Sequence, residues 1–324
     1  MARSKAVLGD ARRDKRAAWM LDRIVSCGSL VLREIGGTRS GEMGAHRLLS
    51  SEDVDPDALL LPHVARTVEA CRSRRIVAAQ DTTEINFDRF RQPVAGLGPT
   101  GNTGIRGFFM HPVVAVDADD EALLGVVGAR MEVREVPAAG KRRKAAGPPL
   151  LWRLVTTLPV AGLAQAQDVV RLYRLRWRIV PEARLRHDEE VFRVLKSDGL
   201  DIEDSQLETA GRLLNLAALG LVAAARIIQL VDARDGSSRP ATDVIEAQDI
   251  DAAAAISATL EGATERQKNH HPPGSLAWLA WIAARLGGWN CYYKPPGPKT
   301  MARGLDRLLE RIEGFRAGNQ RRNV

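Results

Sequence analysis

Cysteine is scarce in this 324-residue chain: Cys27, Cys71 and Cys291 stand far apart, with no Cys-x-x-Cys spacing. That excludes a disulfide framework and a zinc knuckle, and it fits a reducing compartment. The amino terminus, Met1-Ala2-Arg3-Ser4-Lys5, lacks the apolar core of a secretory signal. The most apolar stretch, Leu213 to Val231, is interrupted by Asn215, Arg226 and Gln229, so no membrane segment is expected. No internal repeat is present. These absences together lead to the expectation of a cytoplasmic protein.

What the chain does have is an uneven excess of positive charge. It is 45% hydrophobic and 27% charged, long enough for two or three domains with their own cores, and its formal net charge is +7. The cations gather at Arg12, Arg13, Lys15 and Arg16, at Arg72, Arg74 and Arg75, over Lys141 to Lys144, and from Arg171 to Arg193. Recurrent clusters of this kind favour a polyanionic partner, whereas any single cluster is equally read as a solvated helix face.

Periodicity divides the chain into three zones. Residues 1 to 70 read as a helical, basic module: Asp10 caps Ala11 to Val25, Ser40 caps Gly41 to Leu49, and Asp55-Pro56 opens a helix to about Cys71. Residues 71 to 235 begin with strands at Ile76 to Asp81, Pro112 to Asp117, Leu123 to Val133 and Leu151 to Thr157. The glycine-rich run Gly96 to Gly107 reads as a flexible connection. Helices follow at Val169 to Arg178, Glu189 to Leu195 and Leu207 to about Ala233. Residues 236 to 324 read as helical, over Ile250 to Leu260, Pro273 to Leu286 and Lys299 to Phe315. In the last of these, Leu305, Leu308, Leu309, Ile312 and Phe315 recur at spacings of three and four and form one apolar stripe.

Two places carry chemistry. The run Ile76-Val77-Ala78-Ala79-Gln80-Asp81-Thr82-Thr83 reads as a buried strand that ends by delivering one aspartate. Downstream, Tyr173, Arg176, Trp177, Glu189, Phe192, Arg193, Lys196 and Ser197 gather cations, aromatics and a carboxylate where a phosphodiester can be held. Carboxylates on two separate elements point to a metal site. His270-His271 before Pro272-Pro273 reads more simply as a solvated linker.

The tail Leu279-Ala280-Trp281-Ile282-Ala283-Ala284-Arg285-Leu286-Gly287-Gly288-Trp289, with Tyr292-Tyr293-Lys294-Pro295-Pro296-Gly297-Pro298-Lys299-Thr300 after it, resembles the carboxy-terminal signature of the bacterial cut-and-paste DDE transposases of the IS-four type, the Tn-five-like group. Leu8-Gly9-Asp10-Ala11-Arg12-Arg13 and Gly44-Ala45-His46-Arg47 resemble the helical domain with which that group binds DNA ends. The likeness runs from Leu8 to about Gly318. It implies an α/β chain with a ribonuclease-H-like core flanked by helical amino- and carboxy-terminal domains. It implies two magnesium ions on Asp, Asp and Glu, which cut and join double-stranded DNA at transposon terminal repeats. Two hard cations about 3.5–4 Å apart clamp both the attacking and the leaving oxygen, and a close carboxylate cluster must hold them.

Residue by residue, Asp81 matches the first aspartate, and Glu189, seven residues before Lys196, matches the glutamate. Tyr173, Arg176 and Lys196 match the family's phosphate contacts. Trp152, twenty-one residues before Tyr173, matches the tryptophan that stacks on a flipped base. Arg12 and Arg13 fall in the expected DNA-end-binding helix. By the same resemblance, the helix Lys299 to Phe315 mediates a homodimer, or a heterodimer with an intact transposase.

The chain also departs from that pattern. The second aspartate and the β-rich insertion beyond it have no counterpart, because only Arg134 to Pro149 separate the third strand from the Trp152 strand. Asp117 to Glu121 lie at the wrong end of the sheet. Glu132 and Glu135 lie at the correct end but one strand too far out. The segment Val180 to Asp188 is extra, with Pro181 inside it; Glu182 is the alternative to Glu189 but lacks its Phe and Lys spacing. Three readings follow: an active transposase, an internally deleted one that binds DNA and cleaves poorly, and a helical DNA-binding regulator or inhibitor without metal chemistry.

Overall fold

Asp10 sets the start of the first helix, its carboxylate accepting from the Arg12 N–H at 2.8 Å. Helix α1 (Ala11–Cys27) ends where Gly28 takes a left-handed conformation at φ 59°. A short α2 (Leu32–Gly36), which the sequence did not announce, precedes α3 (Arg39–Leu49). The cap of α3 is Thr38, whose hydroxyl accepts from the Gly41 N–H at 3.1 Å, and Ser40 lies inside the first turn. Helix α4 (Pro56–Ala70) begins as expected, with the Asp55 carboxylate accepting from the Ala58 N–H at 2.8 Å. The computed structural model describes residues 7–87, 94–101, 105–135, 160–177, 187–196 and 199–322, and the side chains of 171–177, 187–189 and 317–322 fall outside that description.

Among the described residues five antiparallel strands follow: β1 (Ile76–Gln80), β2 (Thr83–Asn86), β3 (Gly98–Thr100), β4 (Ile105–Asp117) and β5 (Leu123–Glu132). All four others pair with β4, the long central strand. The glycine-rich connection therefore contains a hairpin, β3 to β4. Ile76 faces Asp117, Gln80 faces Val113, Thr83 faces Met110 and Asn86 faces Gly107, so β1 and β2 form one line along β4 in a single register. Among the described residues β1 pairs with β4 alone, and the expected strand Leu151 to Thr157 lies outside them.

Helices cover one face of this sheet. Helix α7 (Ala210–Ala233) packs on β5 beside α4, and on its other sides against α1 and α9 (Leu276–Leu286). It is long and apolar enough to cross a membrane by length and composition, yet 89% of its most apolar window is buried inside the protein, the position of a core helix. Its few polar residues fasten neighbours: Asn215 Nδ2 donates to the carbonyls of Leu49 and Val54 at 3.1 and 3.0 Å, and Gln229 Nε2 to that of Leu124 at 2.7 Å. Each joins α7 to a different part of the chain, which is how a buried amide is satisfied.

The remaining helices are α5 (Leu163–Trp177), α6 (His187–Lys196), α8 (Ile250–Leu260) and α10 (Pro298–Arg322). Helix α10 lies against α9 and α1, and Leu305, Leu308 and Ile312 of its apolar stripe are buried within the chain while Phe315 remains 40% exposed. Most of the stripe that resemblance assigns to dimerisation is thus intramolecular core. The molecule is a mixed α/β protein with an antiparallel sheet.

At the seam of α10 and α1, burial and the nearby Glu310 push the Asp306 carboxyl up to about 6, against the hydrogen bond from Ser26 and the cations of Arg23 and Arg307. A raised carboxyl binds its proton more tightly folded than unfolded, so its contribution to stability falls as pH rises from about 4 to about 6. Asp306→Asn is expected to raise the melting temperature above pH 7 by roughly 2–4 °C, a value kept modest because the group is only half-buried, and to leave it unchanged below pH 4. Thermal melts at the two pH values check the sign.

Candidate metal and nucleic-acid site

Asp81 occupies the one break in the line of β1 and β2, and Pro112 explains the break. Continuing the register from Gln80–Val113 sets Asp81 opposite Pro112 and Thr82 opposite His111. Phe87 N–H donates to the Arg106 carbonyl at 2.9 Å, so every second pair back along β2, including Asp81 with Pro112, is of the hydrogen-bonded kind. Proline has no N–H to give. The Asp81 carbonyl accepts instead from Gln80 Nε2 at 3.0 Å, and the Asp81 carboxylate accepts from the Thr82 N–H at 2.8 Å.

Alternation fixes the face. Ala79, Thr83 and Ile85 are buried beneath the helices, while Gln80 and Thr82 are exposed, and Asp81 belongs to the first set. The opposite face carries a polar and aromatic group that the sequence did not reveal. Thr82 Oγ1 and His111 Nδ1 are hydrogen-bonded at 2.7 Å, the His111 ring stacks near Phe109 at 6.4 Å, and the Arg134 guanidinium covers Phe109 at 3.8 Å. Their proximity is set by the pairing register of β4 with its neighbours, which no local signal carries.

The register also disposes of the nearest alternative carboxylates. Glu132 faces Phe109 from β5, as Glu84 does from β2. Phe109 and Pro112 are three residues apart on β4, so Glu132 and Asp81 are on opposite faces of the sheet. Their backbones are roughly 14 Å apart, from three residues along the strand and two strand spacings across it. Asp117 faces Ile76 at the far end of β1 and is held by Arg74 at 2.7 Å. Burial pulls its pKa upward, but the Asp119 N–H and the Arg74 guanidinium outweigh this and hold it below the ordinary value.

Helix α6 carries Glu189 and Lys196, seven residues or about two turns apart and so on one face. Val191, Val194 and Leu195 are buried, and the helix packs on α7. Directly after it, Glu203 Oε1 accepts from the Asn86 N–H at 3.0 Å, which ties this segment to β2, five residues beyond Asp81. Lys196 is half-buried. The Glu189 side chain lies outside the described residues, as do those of Tyr173 and Arg176, which share one face of α5 by their spacing of three; Trp152 is outside them altogether. Among the described residues, no three His, Cys, Asp or Glu side chains gather to hold a metal ion, a set that leaves out Glu189.

The basic clusters divide into two kinds. Arg72, Arg74 and Arg75 pair with Glu69, Asp117 and Asp119 at 2.7, 2.7 and 2.8 Å, and of these the Asp117 carboxylate is buried, so Arg74 serves the fold. Arg13 is likewise engaged, with Asp53 at 2.6 Å and the Leu8 carbonyl at 3.0 Å. Arg12 and Lys15 are exposed on the same helix, and the Arg16 guanidinium lies 4.7 Å from the Trp19 ring centre. A flat cation on a half-buried indole is a rigid group for phosphate or base contact. No known family model matches the chain.

Proposed function

We propose that this protein is a DNA-binding relative of the cut-and-paste DDE transposases that engages transposon ends and cleaves them poorly or not at all. The observation that supports this most is the place of Asp81. It stands at the end of the first strand of an antiparallel sheet, on the helix-covered face, and the segment tied to β2 just beyond it follows the helix that bears Glu189. A ribonuclease-H-like core would place its first aspartate and its glutamate in that relation. Exposed Arg12 and Lys15, with half-buried Arg16 beside them on α1, supply a further cationic face for a duplex.

Among the described residues the donor set is too small for a pair of magnesium ions. Two such ions need several carboxylate oxygens within a few ångströms, and Asp81 and Glu189 are two residues where the family uses three. Glu132 is on the wrong face, and Asp117 is at the wrong end of β1 and bound to Arg74. Loss of the middle carboxylate favours a binder, one that competes with or dimerises with an intact enzyme, over a working nuclease.

The test is a bandshift and a nicking assay run together on duplex carrying the element's own terminal repeat, with and without magnesium. The expected result is a specific, salt-sensitive shift with no nicking, and an unchanged or stronger shift for Asp81→Ala, which removes a negative charge near phosphate. Magnesium-dependent nicking that disappears in Asp81→Ala would show that another carboxylate completes the site. Equal shifts on repeat and unrelated duplex would remove the end-binding reading and leave a general DNA-binding regulator.

A further inference from the structure

Between α1, α4, α7 and α10 lies a cavity of about 700 Å³, closed at one side by the turn Val244 to Asp249 and remote from Asp81. It is within the range that holds a small organic ligand. Leu21, Leu59, Leu219, Ile245 and Ile312 give it apolar walls. The charged residues are not spread evenly through it. The Arg226 side chain is 12% exposed, and among the described residues its ion-pair partner is Asp22 at 3.4 Å, a long contact for an ion pair. Arg66 is 33% exposed and reaches Glu246 at 2.6 Å through Nη2, while its Nη1 is buried with no acceptor.

The carboxylates are arranged differently. Glu246 is 59% exposed and Glu313 is exposed, so both are solvated at the rim. Asp14 is occupied by the N–H groups of Val7 and Leu8 at 3.1 and 2.9 Å, and Asp249 by Arg316. His63 also lines the space, and burial together with Arg226 and Arg66 pushes its pKa down to about 3, so at neutral pH it adds no charge. Among the described residues, the buried polar atoms of this lining that lack a hydrogen-bond partner are the donor Arg66 Nη1 and the acceptor Asp249 Oδ1; the second lies against the Arg316 guanidinium, so the demand left unmet is that of a donor, Arg66 Nη1, with the Arg226 cation close enough to act on it electrostatically. A guanidinium N–H buried without an acceptor is costly, and an anion supplies the acceptor.

We propose that this cavity binds an amphipathic organic anion, its carboxylate received by Arg66 and Arg226 and its apolar body lying along Leu21, Leu59, Ile245 and Ile312. Lys15 of the proposed duplex-contacting face also lines this cavity, but anion binding at Arg66 and Arg226 does not require DNA binding. Because the cavity is lined by both α1 and α10, an occupant holds the amino- and carboxy-terminal helices together and raises the stability of the whole chain by mass action.

The experiment uses the full chain with decanoate, decan-1-ol and decylammonium as probes, read by titration calorimetry and by thermal melting. Saturable one-to-one binding of decanoate with a rise in melting temperature is expected, with at least tenfold weaker binding of the alcohol and the ammonium. Arg66→Met is expected to weaken decanoate at least tenfold while leaving the alcohol unchanged. Should that variant fail to fold, Ala58→Trp, which fills the cavity from α4, carries the test, because it is expected to abolish decanoate binding and to leave the DNA bandshift intact. Equal affinity for decanoate and decanol, binding indifferent to both substitutions, or no saturable binding at millimolar decanoate overturns the proposal.

Discussion

An Arg239→Met variant is expected to lose about 3 kcal/mol of stability, because it leaves a carboxylate and a carbonyl unpaired in the interior. Arg239 is 1% exposed. Its Nε donates to Asp243 Oδ2 at 2.8 Å and its Nη1 to the Leu123 carbonyl at 2.5 Å. Leu123 opens β5, and its N–H donates to Asp232 near the end of α7 at 2.9 Å. Both polar groups of that one residue are therefore held by the chain around the end of α7, and the sheet is anchored there. Methionine keeps much of the volume and none of the donors. The lower end of the usual cost for a broken buried pair applies, since Asp243 is 13% exposed and keeps some access to water. Arg239→Lys restores the charge but not the fork and is expected to recover less than half. Adding Asp243→Asn to the methionine variant removes the stranded charge and is expected to recover part of the loss. Urea unfolding of the three variants measures this; a methionine variant with the wild-type midpoint would mean that Arg239 does not hold β5.

Local signals found what local physics decides. Asp10 and Asp55 are caps whose side-chain oxygens meet the N–H groups expected of them, and α8 has the limits that its alanine-rich pattern set. The strand that ends at Asp81 was legible from a continuous apolar run. What escaped depends on partners distant in sequence. Glycines at 96, 98, 101, 104 and 107 read as a flexible link, yet Gly98 and Gly107 face each other across β3 and β4. Strand β2 is four residues long and polar at three of them, and only its pairing with β4 identifies it. In the candidate site, the position of Asp81 was legible, whereas its face and the hydrogen bond missing at Pro112 required the register. The pairing of Arg74 and Arg75 was hidden for the same reason: their carboxylate partners, Asp117 and Asp119, are more than forty residues away.

Gly304→Ala is expected to be at least as damaging as the loss of Arg239, and for a different reason. A Cβ at Gly304 would lie 1.6 Å from the Ala283 carbonyl oxygen and 2.9 Å from the Gly287 nitrogen, while one at Gly287 would lie 2.1 Å from the Thr300 carbonyl oxygen. Helices α9 and α10 thus cross backbone to backbone, and no rotamer relieves the contact. The helices must separate by an ångström or more, which loosens the packing of Met301, Leu305 and Leu308 at once. Overpacking of a core usually costs about 1–3 kcal/mol, and a clash with backbone falls at the top of that range or beyond. Trypsin offers a direct readout, because Lys299, Arg303 and Arg307 lie along α10 and Arg307 is tied to the Leu286 carbonyl at 2.6 Å. Faster cleavage of α10 and an earlier melt are expected, and a fully wild-type digestion pattern would show that the crossing is looser than described. The same geometry bears on the tail that resembles a transposase signature. Leu279 to Leu286 is buried apart from Arg285, Gly287 admits the crossing helix, and Pro298 starts that helix where a missing N–H costs nothing. Much of that motif is required by packing alone, so its presence identifies a helical arrangement more directly than it identifies an activity. The proposed function therefore depends on Asp81 and on Glu189 of α6 rather than on the tail.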